Sequence, residues 1–384
     1  MNWLRRRVDN LQRSYMNKVY MARKIGRDFE NILQDSCALS ITDHFWINRS
    51  DINMTWSNLQ DIRDQNKTLV DVALTGKTAY LDWEAAKQGV TSLFATKGAF
   101  PKAILGNTML KLGGTSQYEW VSSTIGKALG LPVQEAVIVN PSVSNQRDDK
   151  GDLIVVQLRS ENGELLNSEN GEPLYGVAIN LDDTLVKITL FTSDKISFVH
   201  ASELFIDPPT PRDEKGPFRK ARDEGQHHRY FYDKLPSEEF KRDFERVLIL
   251  NWLISNHDMH VENYGCLYSP ETFEIIGIAP SFDHNSAEFD GLIPELDVPD
   301  IVASNIKHHG DVIEKIESGC LDEVLDKEIK NWLSSEQKTC IKNVGTELVN
   351  LYQGINRKNP PKKHGGNVVF NVVSAVALFT RPLW

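Results

Sequence analysis

The chain has 384 residues, 40% hydrophobic and 25% charged, with a formal net charge of −10. This is the composition of a water-soluble protein long enough for two domains, and its acidity argues against direct binding to a nucleic-acid backbone. Four scattered cysteines (Cys37, Cys266, Cys320, Cys340) form no C-x-x-C pair, which argues against structural zinc and suits a reducing cytoplasm. No stretch reaches the roughly 18 apolar residues of a membrane span, and the basic start lacks a signal peptide's apolar run.

In chain order, residues 1 to about 35 read as an amphipathic helix, with Leu4, Val8, Leu11 and Tyr15 spaced at three and four. Residues 98–112 have the pattern of a hairpin turning at Gly106-Asn107. A helix from Tyr118 to Leu129 follows; Ser116 can cap it, Glu119 stands at the capping-box position, and Gly130 ends it. Strands are expected at Val133–Val139, Leu153–Leu158, Val186–Phe191 and Ile196–Val199, with turns in the polar stretch between 140 and 175.

The prolines of Asp207-Pro208-Pro209-Thr210-Pro211 stop regular structure, and the charged stretch 212–230 is expected to be mobile. Ser237 then opens a helix whose apolar face (Phe240, Phe244, Val247, Leu248) becomes nearly all-round by Leu250 to Ile254, so the helix is expected to be buried. A strand at Phe273–Ile278, helices over 311–333 and 335–353, and a Pro/Gly linker before a short apolar end complete the chain.

Strands with one helix precede a mostly helical half, which implies an α+β protein of two lobes, β-rich first and helical second. The divisions are a helical extension (1–36), a β-rich N-terminal lobe (37–206), a helical C-terminal lobe (207–355) and a tail (356–384).

The chemistry concentrates in Asn256-His257-Asp258-Met259-His260-Val261-Glu262-Asn263-Tyr264-Gly265 and, twenty residues after Asn263, in Ser281-Phe282-Asp283-His284-Asn285-Ser286. Two carboxylates and a carboxamide on loops behind apolar runs can hold a divalent cation such as Mg2+ through oxygen and orient a hydroxyl toward a phosphate of ATP. Asp258 is the candidate base, Asn263 and Asp283 the candidate metal ligands, and His260 a candidate donor to the transferred group. Lys111 lies between Leu110 and Leu112 in an apolar strand; a charge there needs a partner, and Glu119 on the following helix can supply it. Gly98, with Lys102 four residues on, can form a loop whose backbone N–H groups meet phosphate. The pairs His227-His228 and His308-His309 have no acidic or cysteine partner at metal-binding spacing, and the acidic run from Glu288 to Asp300 reads as a solvated loop.

The pattern N-x-D-x-H-x-x-N-x-G, then an apolar strand, then F-D-x-x-S resembles the HipA-like kinases, a group that includes toxin halves of bacterial toxin–antitoxin pairs. The likeness extends from Gly98 to Ser286: residues 98–102 resemble the family's phosphate loop, Met109 to Leu112 its nucleotide-lysine strand, and Glu119 its glutamate on the next helix. It implies a bilobal protein-kinase-like fold, ATP with Mg2+, and phosphorylation of Ser/Thr on a protein, the chain itself included. An antitoxin-like partner is implied by the same likeness. By the same correspondence Asp258 is the catalytic aspartate, Asn263 and Asp283 the metal ligands, and Lys111 the ATP lysine. Met259 departs from the family, which usually has arginine after the catalytic aspartate. Ala95 departs too, at a place where self-inactivating members carry serine. D-x-H-x-x-N is also similar to phosphoinositide kinases, so a lipid or small-molecule kinase is one alternative and a non-catalytic nucleotide-binding module another.

Overall fold

A computed structural model describes residues 29–38, 40, 44–47, 102–105, 107–112, 115–139, 155–157, 175–177, 185–204, 216–292 and 297–358. Of the expected N-terminal helix, α1 (Phe29–Ser36) is described; the rest of that segment, Gly98 and the tail beyond residue 358 lie outside the described residues.

The hairpin forms from β1 (Lys102–Leu105) and β2 (Thr108–Leu112), pairing Leu105 with Thr108 and Lys102 with Lys111. Next comes α2 (Gln117–Leu129). Gly130 closes it with φ 72°, a left-handed conformation that glycine takes without a Cβ penalty. Ser116, expected to cap it, does not: its backbone is helical and its side chain accepts no cap bond. Glu119 forms no capping box either, because its carboxylate is drawn toward Lys111.

Strand β3 (Ala136–Val139), the short pair β4 (Val155–Gln157) and β5 (Tyr175–Val177), and β6 (Leu185–Thr189) follow. An antiparallel sheet in the order β1-β2-β6-β3 results. Its registers align Lys111 with Val186 and Met109 with Ile188, and align those with Ile138 and Ala136. By the two-residue alternation of a strand these side chains share one face. That face is a small core of Met109, Ala136, Val186, Ile188 and Leu190, with Trp120 packed on it.

β7 (Ser197–His200) belongs to a second antiparallel sheet with β8 (Gly265–Tyr268) and β9 (Ile275–Ile278). Between them lie α3 (Ala201–Leu204), α4 (Pro217–Asp223), α5 (His227–Lys234) and α6 (Glu238–Leu253). Within the stretch 212–230 that was expected to be mobile, the described residues from 216 on form α4 and the start of α5, seated by the buried Phe218, His227, His228, Phe231 and Tyr232. In α6, which Ser237 was expected to open, the Ser237 side chain caps the helix by accepting a hydrogen bond from Phe240 N at 3.2 Å.

The remaining helices are α7 (Val298–Asn305), a 3-10 turn at Ile306–His308, α8 (Gly310–Glu317), α9 (Cys320–Glu323), a π-helical turn at Val324–Glu328, and α10 (Ser335–Lys358). The single helix expected over 311–333 is therefore broken; Gly319 at φ 83° ends one piece and begins the next. These helices, α2 and α6 enclose the main core, which includes Ile125, Phe244, Leu248, Trp252, Phe289 and Leu348. Trp120 packs against this core as well, so α2 joins both. The architecture is α+β, with a sheet core ahead of a helical core. Among the described residues no helix is long and apolar enough to cross a membrane.

Candidate active site

Lys111 projects from the apolar face of β2 and is 1% exposed. Its ammonium donates to Glu119 Oε1, Asp283 Oδ1 and Asn285 Oδ1, each at 2.5 Å. Burial alone would push its pKa down; the Asp283 and Glu119 carboxylates overcome this and hold it well above the ordinary lysine value. Burial likewise pushes Glu119 up, but the Lys111 charge and the bond with His284 bring it down to about 2. The result is a charged cluster at the junction of the two cores.

Asp283 reaches Lys111 because its backbone adopts φ 60°, a left-handed conformation that few non-glycine residues take. Two features hold the chain there. Phe282 packs among Phe191 and Phe198, with ring centroids 5.5 and 5.4 Å away. Ser281 is stapled to the segment after α2: Gln134 N donates to Ser281 O at 2.8 Å and Ser281 N to Pro132 O at 3.0 Å.

Asp258 follows α6 at the end of a short buried turn. Its side chain is 43% exposed, with His260 Nε2 at 3.6 Å from its carboxylate. His260 is half exposed and its Nδ1 accepts from Glu262 N. Asn263 donates its amide nitrogen to Asp258 O at 2.6 Å. That bond fixes the amide so that the carbonyl oxygen is the atom available to a cation. A carboxylate from Asp283 and an amide oxygen from Asn263 are hard donors, the type that magnesium takes.

A polar chain, not anticipated from the sequence, links the lysine cluster to the Asp258 loop. Glu119 Oε2 accepts from His284 N at 2.9 Å. His284 Nε2 bonds Ser281 Oγ at 2.8 Å, and Asn251 Nδ2 donates to the same hydroxyl at 2.7 Å. Asn256 Nδ2 donates to Asn251 Oδ1 at 2.8 Å, and Asn256 Oδ1 accepts from Asp258 N at 3.3 Å. Asn251 carried a signal: it is a carboxamide within the all-round apolar end of α6, and a buried polar group requires partners. Asn285, the third acceptor for Lys111, was visible only as part of a motif.

The structure thus brings Lys111, Glu119 and Asp283 into direct contact, and joins Asp258 to His260 and Asn263. Lys102 lies beside Lys111 by strand register; Gly98 is outside the described residues. The histidine pairs do have acidic partners, from distant sequence: His228 Nδ1 lies 2.8 Å from Asp297 and His309 Nε2 2.7 Å from Glu245. Asp297, within the acidic run expected to be solvated, is buried.

No family model matches the chain, and no curated protein matches it. Solved structures similar to it include the Helicobacter pylori proinflammatory kinase CtkA, at 17% identity and a TM-score of 0.35, covering 67% of this chain and 94% of that one. The Shewanella oneidensis HipA, in its complex with HipB and operator DNA, has 13% identity and a TM-score of 0.34, covering 68% and 65%. The golgi casein kinase has 11% identity and a TM-score of 0.39, covering 90% of both chains.

Proposed function

We propose that the chain is a HipA-like phosphotransferase that moves the γ-phosphate of ATP to a serine or threonine hydroxyl of a protein. The observation that carries this reading is the Lys111–Glu119–Asp283 cluster, in which the lysine and the glutamate are buried. It joins residues 172 positions apart at the junction of a sheet core and a helical core, and a hydrogen-bonded chain links it to the loop that bears the half-exposed Asp258. Phosphoryl transfer asks a protein for positioning and charge stabilisation more than covalent chemistry. Lys111, oriented by Glu119, supplies a fixed positive charge for phosphate oxygens. Asp258 accepts the proton of the acceptor hydroxyl and aims its oxygen; His260 stands beside it as a donor. Asn263 and Asp283 would hold magnesium, which when bound neutralises charge on the phosphates.

The test is incubation of the purified chain with magnesium and labelled ATP, with itself and generic proteins as acceptors. Label is expected on protein serine or threonine, and Asp258→Ala and Asp283→Ala are expected to abolish it. Undiminished labelling by both variants would remove these carboxylates from the mechanism. Labelling of phosphoinositides and of no protein would replace the protein acceptor by a lipid one.

A further inference from the structure

The residue after Asp258 is Met259, whose side chain is buried and whose carbonyl takes part in a contact outside the proposed chemistry. His228, on α5 and wholly buried, places Nε2 3.0 Å from Met259 O and Nδ1 2.8 Å from Asp297 Oδ1. A peptide carbonyl only accepts. Nε2 therefore donates to the Met259 carbonyl, while Nδ1 is engaged by the Asp297 carboxyl group. The second oxygen of Asp297 accepts from Arg229 N at 2.8 Å, which fixes the carboxylate to the start of α5. Burial pushes the Asp297 carboxyl up, but the His228 bond and charge hold it below the ordinary range.

We infer that His228 and Asp297 are positioning residues for the Asp258 loop, acting through the Met259 carbonyl; this rests on the phosphotransfer reading above. The loop is gripped from two sides. Asn263 holds the carbonyl of Asp258, and His228 holds the next carbonyl along the chain. Two consecutive fixed carbonyls leave the Asp258 backbone little rotational freedom, which sets the direction of its exposed carboxylate. A small misplacement of such a group reduces rate more than binding.

His227, His228 and Asp297 are close enough together to hold a metal ion. The bonds favour a hydrogen-bonded pair over a metal site: His228 and Asp297 already satisfy each other at 2.8 Å. His227, its pKa pushed down to about 3 by burial and then by its neighbour's charge, remains a neutral ring against Tyr264.

The test measures steady-state phosphotransfer by the full chain bearing His228→Gln, His228→Leu or Asp297→Asn, with folding followed by circular dichroism. His228→Leu and Asp297→Asn are expected to lower kcat about 10- to 100-fold, the range for partners that orient a functional group, with KM for ATP changed less than about twofold. His228→Gln, which keeps one donor for the carbonyl, is expected to recover part of kcat. If His228→Leu does not fold, Asp297→Asn and His228→Gln decide the matter. Full kcat in both, alongside an active wild type, overturns the inference and leaves the phosphotransfer reading intact. Absence of transfer by the wild type removes the reading and this inference with it. Stoichiometric zinc in the purified protein, lost in His227→Ala, would also overturn it in favour of a metal site.

Discussion

At the scale of single residues, Lys111 is a demanding side chain: it is charged and 1% exposed. An ammonium on an apolar sheet face is tolerable only while its carboxylates are present, and the reverse holds for them. Lys111→Met is expected to lose about 3–5 kcal/mol in a urea titration, since it takes the ammonium away from the buried Glu119 carboxylate. Asp258→Asn is expected to leave the melting temperature near that of the wild type, because its carboxylate is half exposed, while phosphotransfer falls by about 10²–10⁴-fold. The cluster also sets a pH dependence. Glu119 has an ordinary value of 4.5 and sits at about 2 when folded, so the unfolded chain takes up the proton first. Its stabilisation is complete above about pH 4.5 and drains away as pH falls toward 2. Urea midpoints across that window should fall more steeply for wild type than for Glu119→Gln; parallel curves would show that the carboxylate is not ion-paired. Lys111 acts in the opposite sense: its contribution is present below about pH 10.5 and lost as pH rises beyond.

At the scale of elements, the glycine that closes the Asp258 motif has a steric explanation. A Cβ on Gly265 would stand 2.0 Å from Val199 O, where β8 presses against β7. Gly265→Ala is therefore expected to lose about 3 kcal/mol, the upper end of overpacking effects, and to disturb the neighbouring loop. The α6 cap is a milder case: Ser237→Ala should lose about 1 kcal/mol without altering the site. The same scale shows what periodicity can and cannot reveal. The α6 helix was legible because its apolar face is broad and its cap is a serine followed by acidic residues. Helices α4 and α5 were not, because Arg219, Lys220, Arg222 and Asp223 mask a pattern resting on a few buried aromatics. Ser116 looked like a cap and is not one, because its own backbone is already helical; the box is incomplete as well, since Lys111 draws the Glu119 carboxylate away. The need of Lys111 for a partner could be read locally, from an ammonium among leucines. Its meeting with Asp283 and Asn285 could not: that contact depends on tertiary folding, and without the motif resemblance nothing in the sequence joins positions so far apart.

At the scale of the whole molecule, the expected α+β order of strands before helices is what the fold displays. Trp120 touches both cores, which makes α2 the mechanical link between the sheet and the helices. A ligand that binds at this junction should stabilise both cores together. Saturating magnesium-ATP, at about 100 times its dissociation constant, is expected to add about 2.7 kcal/mol to the wild type, read as a raised melting temperature. Lys111→Met should show little of that increment.

The staple between residues 132–134 and Ser281 has a mechanical consequence. It ties the segment leaving the Glu119 helix to the segment entering the Asp283 loop, so the two carboxylates around Lys111 sit on one lever rather than two. Swinging the helix outward would carry the loop with it or break the two backbone bonds at Ser281. Lys111 is held on the other side as well, by the pairing of β2 with β6, so a switch that released the lysine would have to break backbone bonds on one side of the joint or the other.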